Sequence, residues 1–338
     1  MDPKEADVIQ TDVLIVGGGP AGATCAWALH RYGADCIVLD REPFPRDKLC
    51  AGWITSDVLL DLEIEPEDYP HAMTTLSTLY VSVRGARVRL PGQQRAIRRI
   101  EFDNWLLQRA DVPVYVHQAR NIVRRDGGYV VDDTFFARYL VGAAGTHCPV
   151  ARTFFEGINP RSPEALIVAQ EQEFAYAYGE DGKGDACHLW FLEEGLPGYA
   201  WYVPKAGGIV NVGVGGKAET LSAQGKTIQD YWQLLVARLE KSKLVENYDF
   251  KPTGHAYYVR EDERQLREGE AFVIGDAAGL ATSDMGEGIA PAVRSALLVA
   301  ETIVAGGEID MEALRRYSQP PVFAQLLARA YSGSVLTG

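Results

Sequence analysis

The chain has 338 residues, of which 47% are hydrophobic and 23% are charged. This length and composition are typical of a globular protein with one large domain or two closely associated domains. The formal net charge of −13 at pH 7 argues against nucleic-acid binding and against electrostatic docking on an anionic membrane, because both partners are themselves negatively charged.

Targeting and redox features are sparse in the sequence. No stretch approaches about 18 unbroken apolar residues, so no transmembrane helix is predicted. The first ten residues, MDPKEADVIQ, are acidic and polar, which does not fit a secretory signal. The five cysteines show neither paired nor metal-type spacing, so we expect no metal site. We therefore expect a cytoplasmic protein, with peripheral membrane contact left open because apolar surface can reach a lipid.

The first predicted elements form a βαβ unit. An apolar run over 13–16 is typical of a buried parallel strand, 21–32 is an alanine-rich helix, and 36–39 is a second buried strand. This unit predicts the α/β fold class.

The middle of the chain has a different pattern, with short strands and turn signals in place of further βαβ units. Arg84-Gly85 predicts a hairpin within 76–90, and Asp126-Gly127-Gly128 predicts a turn within 114–141. Longer antiparallel strands are predicted over 165–176, 186–192, 198–215 and 257–261, helices over 101–111, 227–241 and 289–305, and a buried strand with a glycine turn over 271–279.

A glycine motif, GGGPAG, follows the first strand and opens the first helix. Its first glycine permits a tight turn, its second lets the backbone approach a pyrophosphate, and its third allows close packing of helix and strand. The acid that ends the second strand is placed to accept hydrogen bonds from ribose hydroxyls, which favours FAD or NAD over NADP. A glycine turn without a ligand is the alternative. The candidate cofactor-binding residues here are Gly17, Gly19, Pro20, Ala21, Gly22, Asp40 and Arg41.

A second glycine element, FVIGDAAG, lies late in the chain and is followed by GEGI and a helix. A carboxylate after a strand, beside small residues, suits the ribityl or pyrophosphate part of an extended cofactor, and the helix N-terminus suits a developing anion on a flavin ring. NAD binding needs no such second element, so FAD is favoured; an ordinary βα turn is the alternative. The candidates are Gly275, Asp276, Gly286, Gly288 and Ile289, and Glu287 beside them is an acid to test.

Together, GGGPAG and GDAAG resemble the FAD-dependent oxidoreductases of the p-hydroxybenzoate hydroxylase fold. The resemblance implies a Rossmann-like FAD-binding domain interrupted by an antiparallel-sheet substrate domain. The RxxFD sequence at 99–103 resembles that family's helix start, which implies that Arg99 approaches the cofactor, although Arg95 and Arg98 compete for the role. The GAAG sequence at 142–145 resembles the family's Gly-Ala-Asp-Gly, which implies Gly145 as a cofactor ligand; Ala144 replaces the acid and weakens a hydroxylase assignment.

We expect the FAD-binding domain to comprise 1–75, 98–160 and 262–310. The substrate-binding antiparallel β-sheet domain is expected over 76–97 and 161–261, and 311–338 is expected to form a C-terminal helix or tail.

The stretch GYAWYVPKAGGIVNVGVG has the most specific resemblance. Tyr199-x-Trp201-x-Val203-Pro204, eight residues and Gly213-x-Gly215 resemble the YxWxFPx8GxG signature of geranylgeranyl reductases, with valine in place of phenylalanine. The resemblance implies that Tyr199 and Trp201 are catalytic-site residues in a segment that lines an isoprenoid cavity. Aromatic rings supply rigid apolar surface and glycine leaves room. An aromatic hairpin that only packs the sheet is the alternative.

The stretch PRDKLCAG resembles the region of these reductases where a cysteine followed by small residues meets the flavin ring. It implies Cys50 as a catalytic residue and Lys48, Cys50 and Ala51 as cofactor contacts. The alternatives are a small buried cysteine and solvated cations, since Arg46 and Lys48 either bind a phosphate head group or face water.

The resemblance implies an FAD-dependent oxidoreductase that reduces C=C bonds of an isoprenoid or other apolar substrate by hydride transfer from N5 of reduced flavin. The sequence has no second GxGxxG motif, so the reductant is expected to be transiently bound NAD(P)H or another electron donor. One alternative is a flavin-dependent monooxygenase or halogenase of the same fold, since GYAWYVP partly resembles the halogenase Gly-Trp-x-Trp-x-Ile-Pro. A second is a non-catalytic, flavin-binding electron carrier. No acid is identified as the proton donor.

Overall fold

The computed structural model describes residues 8–176, 184–261 and 264–317. The strands in these ranges are β1 Ile9–Val16, β2 Cys36–Asp40, β3 Trp53–Ile54, β4 Thr74–Thr75, β5 Thr78–Val83, β6 Ala86–Pro91, β7 Arg95–Ala96, β8 Val114–Val116, β9 Ile122–Arg125, β10 Gly128–Val131, β11 Phe135–Gly142, β12 Leu166–Ala175, β13 Ala186–Phe191, β14 Gly198–Lys205, β15 Ile209–Lys217, β16 Thr253–Tyr258, β17 Arg267–Glu268 and β18 Ala271–Val273. The α-helices are α1 Pro20–Arg31, α2 Ser56–Asp61, α3 Arg99–Arg109, α4 Ala218–Ala223, α5 Ile228–Lys241, α6 Ile289–Ala305 and α7 Met311–Tyr317.

The chain divides into two compact units, each assembled from separate segments. The first comprises Met1–Arg41, Arg109–Pro160 and Val259–Gly338, and the second comprises Glu42–Gln108 and Arg161–Tyr258. The second unit also contains residues 42–75 and 98–108, which we expected in the FAD-binding domain. The functional assignment of the domains stays a prediction, and 318–338 of the predicted C-terminal segment lies outside the described residues.

The first unit is built on an eight-stranded sheet. Its main order is β17-β18-β11-β1-β2-β8, with the β9–β10 hairpin added beside β11. The pairs that join β18, β11, β1, β2 and β8 are all parallel. Leu14 and Ile15 of β1 are fully buried, as expected for a parallel strand covered on both faces. The predicted α/β class is confirmed.

The second unit contains a seven-stranded sheet of order β16-β12-β15-β14-β13-β5-β6 and a small sheet of order β3-β7-β4. The large sheet is antiparallel except for the parallel pair of β13 and β5. These two strands are far apart in sequence, so no hairpin constrains their relative direction.

The predicted strand over 257–261 is wrong in its bounds. The strand is β16, Thr253–Tyr258, and it pairs with the first half of β12. Gly254, near its start, carries little strand propensity, so its place in the sheet is set by pairing with Gln170 of β12 rather than by its own sequence.

The two faces of the large sheet have different compositions. On one face, Phe174, Tyr202 and the valines of β15 pack against Trp232 and Leu235 of α5. Strand registers place Glu171, Trp201 and Gly213 on the opposite face, since β12, β15 and β14 align these three positions. We call this second face the site face; it also carries Glu173, Tyr199, Lys205, Asn211, Gly215 and His255.

No helix in the part of the chain that the structure describes has both the length and the apolar character needed to cross a membrane.

Candidate functional site

The turn between β1 and α1 requires glycine at two of the predicted positions. Gly17 has φ +113°, and a Cβ added there would lie 2.5 Å from the carbonyl carbon of Ala143. A Cβ at Gly22 would lie 1.8 Å from the carbonyl oxygen of Gly17. Both contacts are with backbone that cannot move aside cheaply, so the motif is built around close backbone approach.

The N-terminus of α1 suits an anion. Its N-cap, Gly19, supplies no side-chain hydrogen bond, Pro20 starts the helix, and the first turn carries no acid. The backbone N–H of Gly18 donates to Oδ2 of buried Asp40 at 2.7 Å, which ties the turn to the end of β2. Unsatisfied N–H groups at a helix start, next to a carboxylate at the end of the second strand, fit the pyrophosphate and ribose of a dinucleotide. Arg41, which follows Asp40, is exposed.

The second glycine element lies beside the first. Gly275 has φ +57°, and a Cβ there would lie 3.1 Å from the side chain of Ala21 in α1 and 3.2 Å from that of Ala292 in α6. The backbone N–H of Gly275 donates to Oγ of Ser295. Oδ1 of Asp276 would lie 3.2 Å from a Cβ at Gly288. The structure therefore brings together two glycine elements that are far apart in sequence.

The remaining candidates of the first unit lie around these elements. Glu287 Oε1 accepts a hydrogen bond from the backbone N–H of Ala290, so this acid caps the start of α6. Gly286 has φ +63° and is half-buried, and Ile289 is the buried first residue of α6. Gly145, with φ +71°, follows the Ala143–Ala144 backbone that packs against Gly17. Ala144 is exposed where the family has an acid.

In the second unit, hydrogen bonds join the Cys50 loop to the aromatic motif. Trp201 Nε1 donates to Asn211 Oδ1 at 2.7 Å, and Asn211 Nδ2 donates to the carbonyl oxygen of Cys50 at 3.3 Å. The backbone N–H of Gly52 donates to the Cys50 sulfur at 3.3 Å. Cys50 and Ala51 are half-buried, whereas Lys48 is exposed. Three of the residues predicted for the site, Cys50, Ala51 and Trp201, therefore lie in one hydrogen-bonded region.

The aromatic motif is packed in a specific way. A Cβ at Gly213 would lie 2.2 Å from Cζ2 of Trp201, so the space left by this glycine is filled by the indole. Trp201 is buried, whereas Tyr199 is half-buried and stacks on Phe191 with ring centroids 5.0 Å apart. Of the two aromatic candidates, Tyr199 is thus the one with exposed surface.

The structure distinguishes the three competing arginines. Arg99 is buried and donates two hydrogen bonds to Asp103, at 2.6 and 2.7 Å. Burial alone would lower the Arg99 pKa, but the Asp103 carboxylate raises it by more than burial lowers it. Arg99 therefore stays positively charged. Arg98 pairs with Glu173 and Glu101, and Arg95 donates to a threonine hydroxyl.

Two acids on β12 were not identified from the sequence. Glu173 accepts from Lys205 Nζ at 2.6 Å and from Arg98 Nε at 2.9 Å. Burial opposes ionisation of Glu173, but these two cations lower its pKa. Glu171 is 1% exposed, and neither of its carboxyl oxygens has a hydrogen-bond partner among the described residues. Burial raises the pKa of Glu171 to about 7, against the opposing fields of Lys205, Lys48 and Arg99.

Comparison with known proteins agrees with the cofactor motif. The family model described as an FAD binding domain matches residues 10–56, which include α1, β2 and all of β1 except its first residue. Digeranylgeranylglycerophospholipid reductase 2 of Methanopyrus kandleri is 31% identical over 61% of this chain, and the match covers 55% of that relative's length. Digeranylgeranylglycerophospholipid reductase 1 of the same organism is 27% identical over 89% of this chain and 82% of its own length.

Among solved structures, a geranylgeranyl bacteriochlorophyll reductase-like protein of Thermoplasma acidophilum matches with a TM-score of 0.76 at 18% identity, over 96% of this chain and 84% of that one. The predicted resemblance to the geranylgeranyl reductase family is confirmed. Its class, an FAD-dependent oxidoreductase, agrees with the FAD-binding domain and the names of the relatives.

The shared fold extends beyond the reductases. The flavin-dependent brominase Bmp2 matches with a TM-score of 0.68 at 17% identity, over 91% of this chain and 83% of that one. At this identity the likeness shows the fold alone, because one fold supports several chemistries. Geranylgeranyl reductase relatives are therefore distinguished from halogenases by sequence similarity and not by architecture.

Proposed function

We propose that this protein reduces carbon–carbon double bonds of an isoprenoid lipid or another apolar substrate. The observation that carries the proposal is the aromatic motif on the site face, where Trp201 is fixed against Gly213 and Tyr199 presents a stacked aromatic surface. The names of the curated relatives, digeranylgeranylglycerophospholipid reductases, support the same substrate class.

FAD would be held by the two glycine elements of the first unit, with the N-terminus of α1 at the pyrophosphate and Asp40 at the ribose. Asp276 and the start of α6 would hold a more distant part of the cofactor. When bound and reduced, FAD supplies hydride. Its own reductant would be NAD(P)H bound transiently, or another electron donor.

The residues of the second unit would orient the substrate. Trp201 cannot change rotamer freely, because its indole is buried, packs on Gly213 and donates to Asn211. Such a rigid wall orders a flexible chain at a low entropic cost to the protein. Asn211 also fixes the Cys50 backbone, so the loop that the resemblance associates with the flavin is held by the same hydrogen-bonded group.

A lipid substrate is compatible with the charge of the chain if it is reached through apolar contact rather than through charge. We therefore propose that the protein is cytoplasmic and contacts the membrane peripherally.

An anaerobic turnover experiment tests this function. The purified protein is checked for a flavin spectrum, reduced with dithionite and mixed with glycerophospholipids that carry geranylgeranyl chains. We expect flavin reoxidation together with products that mass spectrometry shows to have gained pairs of hydrogens. Reduced flavin that persists until oxygen enters, followed by an oxygenated or halogenated product, would instead assign the monooxygenase or halogenase class. Reoxidation by small electron acceptors without any lipid product would assign an electron carrier.

A further inference from the structure

Glu171 is the most unusual titratable group on the site face. It lies in the interior of β12, 1% exposed, and neither carboxyl oxygen has a hydrogen-bond partner in the described part of the chain. A buried carboxyl without partners is unfavourable as an anion and is retained in a fold only at a cost in stability. Such a group therefore needs an explanation.

Glu171 adjoins the aromatic motif directly. In the β12–β15 register it is opposite Gly213, and Gly213 is opposite Trp201 in the β14–β15 register. A Cβ at Gly213 would lie 2.8 Å from the Glu171 Cβ and 2.2 Å from the Trp201 ring. The glycine thus lets the acid and the indole flank the same position. No other acid of the second unit's described residues is both buried and unpaired beside this motif.

The charged groups around Glu171 come from three other elements or loops and from its own strand. Lys205 of β14, Lys48 of the loop before β3 and Arg99 of α3 favour its ionised form, whereas Glu173 on the same strand opposes it. Lys205 is bound to Glu173 and Arg99 to Asp103. Lys205 and Arg99 therefore stabilise a Glu171 carboxylate through space while they donate hydrogen bonds to other acids, which leaves both protonation states of Glu171 accessible.

The neighbouring histidine is not an equivalent proton donor. His255 of β16 is on the same face, and burial, with Lys48 and Arg99, lowers its pKa to about 4. It is therefore neutral near pH 7, and its imidazole N–H is a weak acid. A carboxyl group with a pKa near the working pH is the better general acid.

We propose that Glu171 is the proton source for the double-bond reduction, an inference that rests on the proposed function. Hydride from reduced FAD forms one C–H bond and brings the electron pair. The O–H bond of the Glu171 carboxyl breaks, its proton forms the second C–H bond at the neighbouring carbon, and its electron pair stays on the carboxylate. Proton uptake from solvent restores the acid for the next cycle.

The first test is independent of turnover. Infrared spectra of the FAD-loaded protein are recorded across pH for the wild type, for Glu171→Gln and for Glu173→Gln. We expect a protonated-carboxyl band that titrates near pH 7 in the wild type and that is absent from Glu171→Gln. In Glu173→Gln the band should persist with a lower midpoint, because loss of the Glu173 charge lets Lys205 favour the Glu171 carboxylate more strongly. A wild-type protein without such a band, or a band that survives in Glu171→Gln, would overturn the assignment.

The second test is an anaerobic single turnover with dithionite-reduced protein and geranylgeranyl glycerophospholipid. We expect Glu171→Gln to form product about 100-fold more slowly or worse, the low end of general-acid effects. Its FAD content should be unchanged. The wild-type rate should fall as pH rises through about 7, and this dependence should be lost in the variant.

The outcomes separate the two proposals. Wild-type turnover with a Glu171→Gln rate within about threefold, a free-energy change below about 1 kcal/mol, would overturn the proton source alone. A wild-type protein that reduces no alkene would overturn the proposed function together with this role.

Discussion

Glu171 and Glu173 show how strongly the surroundings of a single residue decide its chemistry. The two acids are separated by one residue on β12 and point to the same face. Glu173 is paired with two cations, whereas Glu171 has no hydrogen-bond partner in the described ranges. The same residue type is therefore held as an anion at one position and shifted toward its neutral form at the other.

This contrast predicts opposite effects of pH on stability. The Glu171 pKa rises from 4.5 to about 7 on folding, so between these values the folded chain keeps a proton that the unfolded chain has lost. Stability consequently falls as pH rises through this window, by about 3 kcal/mol in total at about 1.4 kcal/mol per pKa unit. Glu171→Gln should therefore gain stability relative to the wild type as pH rises, which urea unfolding of the apoprotein measures.

Glu173→Gln is the matched control. The Glu173 pKa is lowered by Lys205 and Arg98, so its contribution is present above the unfolded pKa and is lost as pH falls. This variant should be less stable than the wild type at neutral pH, and the difference should shrink in acid. Parallel pH profiles for wild type and Glu171→Gln would show that Glu171 is not buried in its neutral form.

Residues of the cofactor motif could be predicted from sequence, because the spacing of the glycines follows from the positions where the backbone leaves no room for a side chain. Gly17 and Gly22 are needed for close approaches that any side chain would block. The two acids of β12, Glu171 and Glu173, could not be predicted in this way. Residues 170–173 read QEQE, so there is no alternation of polar and apolar residues to reveal which side chains face inward. The pairing of Glu173 with Lys205 and Arg98 depends on strand register and on a residue distant in sequence.

At the level of elements, the aromatic motif couples two adjacent strands. Trp201 of β14 lies over the position where Gly213 of β15 has no side chain. The sequence pattern predicted a hairpin with aromatic residues and spaced glycines, and the β14–β15 hairpin is confirmed. That the indole, rather than a ligand, fills the space at Gly213 depends on side-chain packing and could not be predicted.

Replacement of this glycine should damage the sheet. In Gly213→Ala the new methyl group would meet the Trp201 ring at 2.2 Å and the Glu171 Cβ at 2.8 Å, so one of them must shift. We expect a loss of about 1–3 kcal/mol, the usual cost of overpacking a core, together with a change in tryptophan fluorescence. Urea unfolding gives the free energy. Gly254→Ala on β16 is the control, since its nearest neighbours would be 3.6 Å away and a change within about 0.5 kcal/mol is expected. Equal effects of the two substitutions would contradict the packing described for Trp201.

Other elements show where sequence patterns succeed and fail. The helix predicted over 227–241 is α5, with Thr227 as its N-cap in a capping box with Asp230, because amphipathic spacing and a cap are both local features. The strand predicted over 257–261 was misplaced, and the parallel pairing of β5 with β13 was not foreseen. Both depend on partners distant in sequence, which local propensity does not contain.

For the molecule as a whole, the balance of 33 basic and 46 acidic residues bears on how a lipid substrate is reached. Clustered lysine and arginine contribute about 1 kcal/mol each to binding at an anionic membrane surface, and a chain of net charge −13 is repelled on average. Any vesicle binding should therefore depend on apolar contact.

Cosedimentation with phosphatidylcholine vesicles, with and without phosphatidylglycerol, tests this expectation. The bound fraction should not rise with phosphatidylglycerol and should not fall as salt is added, because salt screens charge but leaves apolar burial intact. A lysine-rich peptide measured in parallel is the control: its bound fraction should rise with phosphatidylglycerol and fall as salt is added. Binding that needs phosphatidylglycerol and collapses in salt would instead point to a local basic surface, with Arg46 and exposed Lys48 as the first residues to replace. The lipid would then be recognised through its head group rather than through apolar contact alone.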